Sequence, residues 1–165
     1  MKILLVDDSE KLANQRQETA QAIRVLTYLL KRTTEEMELH FVSRLAKFTG
    51  RKSRQFENKV LASLFDGQVS PSACLKELVE QTISKSGNPT KLPPMSVYIL
   101  TSLRWENRDV VESGDILQRL SKHLQSIGVE EGRVFFQFIL FESKSPSTKD
   151  VTPVWDIINP VGSSP

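Results

Sequence analysis

The sequence predicts an α/β fold: a three-layer α/β/α sandwich with a mostly parallel central sheet, in one domain spanning residues 1–165. Three observations lead there. The runs "KILLV", "MSVYILT" and "RVFFQFILF" are apolar enough to be strands buried between two layers. Segments with helical spacing of apolar residues separate them. A chain of 165 residues supplies one domain with a sizeable core and leaves no room for a second domain.

Taken in order, residues 2–6 are apolar on both faces after Lys2 and read as a central parallel strand. From Gln15 to Lys31 the spacing becomes helical: Thr19, Ile23, Leu26 and Leu30 share a face, with Ala22 and Leu29 beside them, and this helix covers the sheet. Met37, Leu39 and Phe41 alternate with Glu38, His40 and Val42 in a shorter strand, which Gly50 and its basic neighbours interrupt. Phe56, Val60, Leu61 and Leu64 stripe a helix from Arg54 to Leu64, ended by a turn at Asp66-Gly67. Ser72 is placed to cap a helix carrying Leu75, Leu78, Val79 and Ile83. The polar, proline-rich stretch 85–94 is a loop within the domain, because core elements resume at Met95. Ser113 to Ile127 is amphipathic through Ile116, Leu117, Leu120 and Leu124 and stops at Gly128. Beyond the last strand, the tail 144–165 is polar and then offers Val154, Trp155, Ile157 and Ile158, which are expected to dock on the edge of the domain.

Composition narrows the function. Lys and Arg total 22 against 20 Asp and Glu, so a net charge of +2 exerts no strong pull on nucleic acid or an anionic membrane. Cys74 is the only cysteine, which rules out an intrachain disulfide and thiolate zinc spacings and suits a reducing, cytoplasmic compartment. Its expected role is that of a small core residue. No signal-peptide pattern opens the chain, and no apolar stretch reaches the roughly 18 residues a bilayer span needs.

Ligands of α/β sheets sit beyond the carboxyl ends of the strands. That draws attention to Asp7, Asp8, Ser9, Glu10 and Lys11 after the first strand, and to Thr101, Ser102 and Leu103 after "YIL". Two readings compete for the acidic opening. A phosphoacceptor receiver domain clusters acids after its first strand, with a phosphorylated Asp, a hydroxyl and a Lys following in order. Asp7, Asp8, Thr101 or Ser102, and Lys144 can be set against that pattern, but the only nearby acceptor, Asp66, follows a helically spaced segment rather than a buried strand. The receiver reading is therefore the alternative.

The preferred reading rests on a series of segments in order: "LLVDDSEKL" at 4–12, "ELHFVS" at 38–43, "KFTG" at 47–50, "GQVSPSA" at 67–73, "VYILTSL" at 97–103, "VFFQFILF" at 134–141 and "WDIINP" at 155–160. This series resembles the von Willebrand factor A (vWA) family, and in particular small fungal vWA-like proteins. Their corresponding segments read "DDSGSM", "DIYFLN", "RFTG", "GGTPTG", "VITDG", "VQFFQVG" and "RDIVDTVP". The resemblance runs nearly end to end and implies a Rossmann-like sandwich acting as a non-enzymatic protein-interaction module.

It also implies a divalent-cation site at the top of the sheet, held by an Asp-x-Ser-x-Ser loop, a Thr and a second Asp, with one position open for an acidic group of a partner. A hard cation such as magnesium or manganese wants oxygen ligands. Carried over by position, Asp7 and Ser9 retain two ligands, and Ser70, or Ser72 in the same compressed turn, offers a hydroxyl in place of Thr. Lys11 stands where the second serine is expected and Ser102 where the second Asp is expected. An ammonium cannot ligate a cation, and losing a carboxylate removes much of the site's charge. The expectation is a degraded site with no cofactor, at most weak magnesium binding through Asp7, Ser9 and Ser70. Lys11 either supplies an internal cation beside Asp7 or points to solvent. Trp105 lies near the rim, where it either anchors a protein partner or covers the core.

Other constellations are weaker. His40 and His123 read as surface histidines without ligand or catalytic roles. No "GxSxG", "GxGxxG" or "GxxxxGK[ST]" pattern occurs, so neither a serine hydrolase nor a nucleotide enzyme is expected. "RKSRQFENK" is the most basic stretch, but its interspersed Glu57 favours a solvated face over nucleic-acid binding.

Overall fold

A computed structural model of the chain describes residues 1–30, 37–67, 70–85, 94–102, 105, 107–129 and 133–141. Strand β1 (Lys2–Val6) leads through a 3-10 turn (Glu10–Gln15) into α1 (Arg16–Leu30). Strands β2 (Met37–Phe41) and β3 (Arg44–Gly50) follow, then α2 (Ser53–Leu61), α3 (Pro71–Lys85), β4 (Met95–Thr101), α4 (Asn107–Ser126) and β5 (Val134–Leu140). The five strands form one sheet in the order β3-β2-β1-β4-β5. All neighbours are parallel except β3, which pairs antiparallel with β2 and closes that edge.

The period-two pattern of β1 builds the layers. Leu4 and Val6 face Leu39, Phe41, Ile23, Phe56 and Val60, a core beneath α1 and α2. Ile3 and Leu5 face the other way into Leu75, Leu78, Val79, Ile99 and Ile116, a core beneath α3 and α4. A strand that feeds both cores must be apolar at every position, which is why "ILLV" is unbroken. Buried threonines in the helices avoid a desolvation cost by turning inward: Thr27 donates to the Ile23 carbonyl at 2.7 Å and Thr82 to the Leu78 carbonyl at 2.8 Å. The α/β sandwich and its mostly parallel sheet thus stand as expected.

Three local expectations are corrected. The segment 44–50, which runs into the interruption expected at Gly50 and its basic neighbours, is strand β3; Lys47 and Thr49 are exposed at the edge, and Phe48 turns inward, edge-on to Phe56 at 5.5 Å and 83°. Gly50 is needed there, since a Cβ would stand 3.0 Å from the Phe56 ring and 3.1 Å from that of Phe48. Helix α4 begins at Asn107, and Ser113 is a fully buried residue inside it rather than its start. Helix α3 is capped by Ser70, whose Oγ accepts from the Ala73 amide at 3.4 Å, while Ser72 lies buried in the first turn behind Pro71. The stop at Gly128 holds: its φ of +72° is one that side-chain-bearing residues rarely adopt. Lys31, most of the loop 85–94 and the whole tail 144–165 lie outside the described residues.

Candidate functional site

The carboxyl ends of β1 and β4 are neighbours, Val6 pairing with Leu100, so the two loops singled out in the sequence meet. Asp7 follows β1 and is only 2% exposed. Its backbone amide donates to Leu100 O at 2.9 Å, which fixes the side chain above β4. Three donors converge on the carboxylate: the Ser9 amide on Oδ1 at 3.1 Å, and the Thr101 hydroxyl at 2.7 Å and Trp105 indole N–H at 3.4 Å on Oδ2. Trp105 is half-buried and stacks edge-on to Phe138 of β5 at 6.0 Å, so it covers the core and touches the site at once.

Asp8, fully buried, holds a second junction. Its Oδ1 accepts the Ser43 amide at 2.8 Å, its Oδ2 accepts the Ser43 hydroxyl, and its carbonyl accepts the Gly67 amide at 3.4 Å. Ser9 forms an isolated parallel bridge with Gly67. The loop after β1 is therefore laced to the β2–β3 turn and to the chain entering α3.

Of the six residues singled out, Asp7, Ser9 and Trp105 are joined by direct hydrogen bonds. Ser102 immediately follows β4, and its hydroxyl is buried without a partner. Lys11 is exposed on the 3-10 turn. Ser70 is engaged with α4: its hydroxyl donates to Asp109 Oδ1 at 2.9 Å and meets the Ser72 hydroxyl at 2.9 Å. Ser72 reaches Asp109 at 3.0 Å and Glu112 at 2.9 Å, so both hydroxyls tie the start of α3 to the first turns of α4. Arg108 and Ser72 hold the Glu112 carboxyl below its ordinary range. Sequence reasoning missed Asp8 as a structural latch and Asp109 as the partner of Ser70. Adjacency to Asp7 could have flagged the first; nothing local signals the second.

A cavity of about 170 Å³ lies lower on the sheet, beneath α3, bordered by Glu38, His40, Lys47, Glu77, Thr82 and Met95 among others. His40 is half-buried there rather than on the surface, 3.1 Å from Glu38, which also pairs with Lys47 at 2.5 Å. Burial pushes the Glu38 carboxyl up, but Lys47 and His40 outweigh it and hold the group below its usual 4.5. A lowered carboxyl stabilises the fold fully above its unfolded value and loses that contribution as pH falls through the folded one. The stability gap between wild type and Glu38→Gln, followed by urea unfolding, is expected to be constant near neutrality and to close below about pH 4.5. A gap independent of pH would contradict the pairing. Cys74, also on this side, is buried, and desolvation, with Glu77 and Asp8 adding, pushes its thiol up to about 11, so it is a core residue and a poor nucleophile.

Among the described residues no three His, Cys, Asp or Glu side chains are grouped so as to hold a metal ion. No described helix is long and apolar enough to cross a membrane. The parallel strands keep the order of a receiver sheet, with the first between the second and the third; the antiparallel edge strand β3 is an addition to it, and Asp66, the only acceptor the receiver reading offered, follows α2 rather than a strand. The chain matches no protein-family model and no curated protein. Among solved structures it is similar to the crystal structure of the SpRpn10 VWA domain, at 9% identity and a TM-score of 0.48, over 99% of this chain and 96% of that one.

Proposed function

We propose that this chain is a non-enzymatic, vWA-like protein-interaction module whose divalent-cation site has been replaced by internal hydrogen bonds. The observation that carries the reading is the state of Asp7. A carboxylate offers about four lone-pair sites; Ser9, Thr101 and Trp105 occupy three of them. The remaining ligand positions do not fit a cation either. Ser70 donates its proton to Asp109, Lys11 brings a positive charge, and Ser102 offers a hydroxyl where a second carboxylate is required. The top of the sheet instead presents a fixed surface around Trp105, and partner capture there would be insensitive to chelators. The single cysteine, kept as a thiol, supports placing the module in a reducing, cytoplasmic compartment.

The test is a melting curve with and without millimolar magnesium or manganese. The wild-type midpoint is expected to stay put, whereas the double variant Lys11→Ser, Ser102→Asp regains two oxygen ligands and should gain several degrees with metal. A metal-dependent rise in the wild-type protein would overturn the proposal.

A further inference from the structure

The sheet face that carries α1 and α2 is covered unevenly. α2 lies against β3 through the Phe48–Phe56 contact, and α1 lies over β1, where the Lys2 ammonium donates to the Leu30 carbonyl at 2.9 Å. On the adjoining lower half of β5 this face is exposed at Phe135 and Gln137. Register and alternation put Ser96 and Phe135 in one row with Lys2, and Tyr98 and Gln137 in the next with Leu4. Phe135 is 57% exposed. The flank of α1 beside this strip is apolar as well. Arg24 reaches Glu57 of α2 at 3.4 Å, and at about 100° per residue Leu29 stands about 140° round the helix from it, toward the opposite flank. Leu29 is 61% exposed.

We propose that the chain's own C-terminal segment, residues 151–158, covers this strip, packing between the α1 flank and β5. The chain leaves the sheet at the edge strand that borders the strip, and residues 142–165 follow it. Nine residues link Phe141 to Val151; extended, the ten steps between them span up to about 33 Å, enough to return along β5. The segment holds Val151, Val154, Trp155, Ile157 and Ile158 against one charge, Asp156, so its burial and that of Phe135 and Leu29 satisfy one another.

Trp105→Phe leaves Trp155 as the sole tryptophan of the full chain. Its fluorescence is expected to be shielded from acrylamide, and adding Phe135→Asp should more than double the quenching constant. Quenching equal to that of the urea-unfolded chain would overturn the proposal. Should Trp105→Phe not fold, a cycle of Phe135→Ala and Trp155→Ala in the native chain decides: Trp155→Ala should lose most of its effect on the melting midpoint once Phe135 is gone, and simple addition of the two effects would refute the contact. Sedimentation reads the rival occupant, since a dimer that Phe135→Asp dissociates would assign the strip to a second copy and overturn the proposal.

Discussion

Asp7→Ala is expected to destabilise the protein by about 3 kcal/mol, read as a fall in the urea midpoint with the slope unchanged. Buried donors left without an acceptor cost about 1–3 kcal/mol each, and hydrogen bonds to a charged group are worth about 1.5–3 kcal/mol. The Thr101 hydroxyl and Trp105 N–H both lose their acceptor, and Thr101 is fully buried. Removing a buried carboxylate also relieves its own desolvation, which keeps the estimate below the simple sum. Asp7→Asn retains a carbonyl oxygen but turns an amide donor toward the same groups, so its loss should fall between wild type and Asp7→Ala. A loss below about 1 kcal/mol for Asp7→Ala would mean that the three donors are satisfied without it. The idea that internal hydrogen bonds have taken over from a cation would then lose its basis.

Phe56→Ala should be costlier still, about 4 kcal/mol, near the middle of the range for removing a buried aromatic ring. Phe56 is fully buried, closes the core beneath α1 and α2, and gives β3 an inward anchor through the edge-on Phe48 ring. That ring pair contributes about 0.5–1.5 kcal/mol beyond burial. For a chain of this size the midpoint should drop by about 8–16 °C. A cycle with Phe48→Leu would isolate the coupling between the rings. Additive effects would indicate that the antiparallel edge is held by backbone pairing alone.

Both predictions fall where reading the sequence was uneven. β1, β4 and the helix α1 were legible because burial on both faces leaves unbroken apolar runs, and burial on one face leaves a 3.6-residue stripe. β3 was not: "RLAKFTG" is an edge strand with polar residues facing out, and its pairing partner rather than its own pattern makes it a strand. The first turns of α4 escaped for a similar reason. Val110 is the one buried apolar residue among Arg108, Asp109, Val111 and Glu112, too little to mark a stripe, and Ser113, which reads locally as a cap, sits with a buried, unpartnered hydroxyl inside the helix.

The site divides in the same way. That the ends of β1 and β4 meet, with Asp7 and Ser102 at them, follows from two buried strands and the rule that ligands lie beyond carboxyl ends. Which atoms satisfy Asp7 does not follow. Lys11 was the internal cation considered for it, whereas the donors found on Asp7 include the hydroxyl of Thr101 and the indole of Trp105, whose side chain β5 supports through Phe138. Ser70, positioned by resemblance as a ligand, is drawn away by Asp109 on a helix far along the chain.

By itself the sequence determined the layers and the acidic loop above the sheet, because burial is written into the period and length of apolar runs. Only the tertiary structure decided the edge strand, the caps and the partners of Asp7, Asp8 and Ser70. Hydrogen bonds between residues 35 to 98 positions apart depend on angles and on tenths of an ångström, which no local pattern encodes.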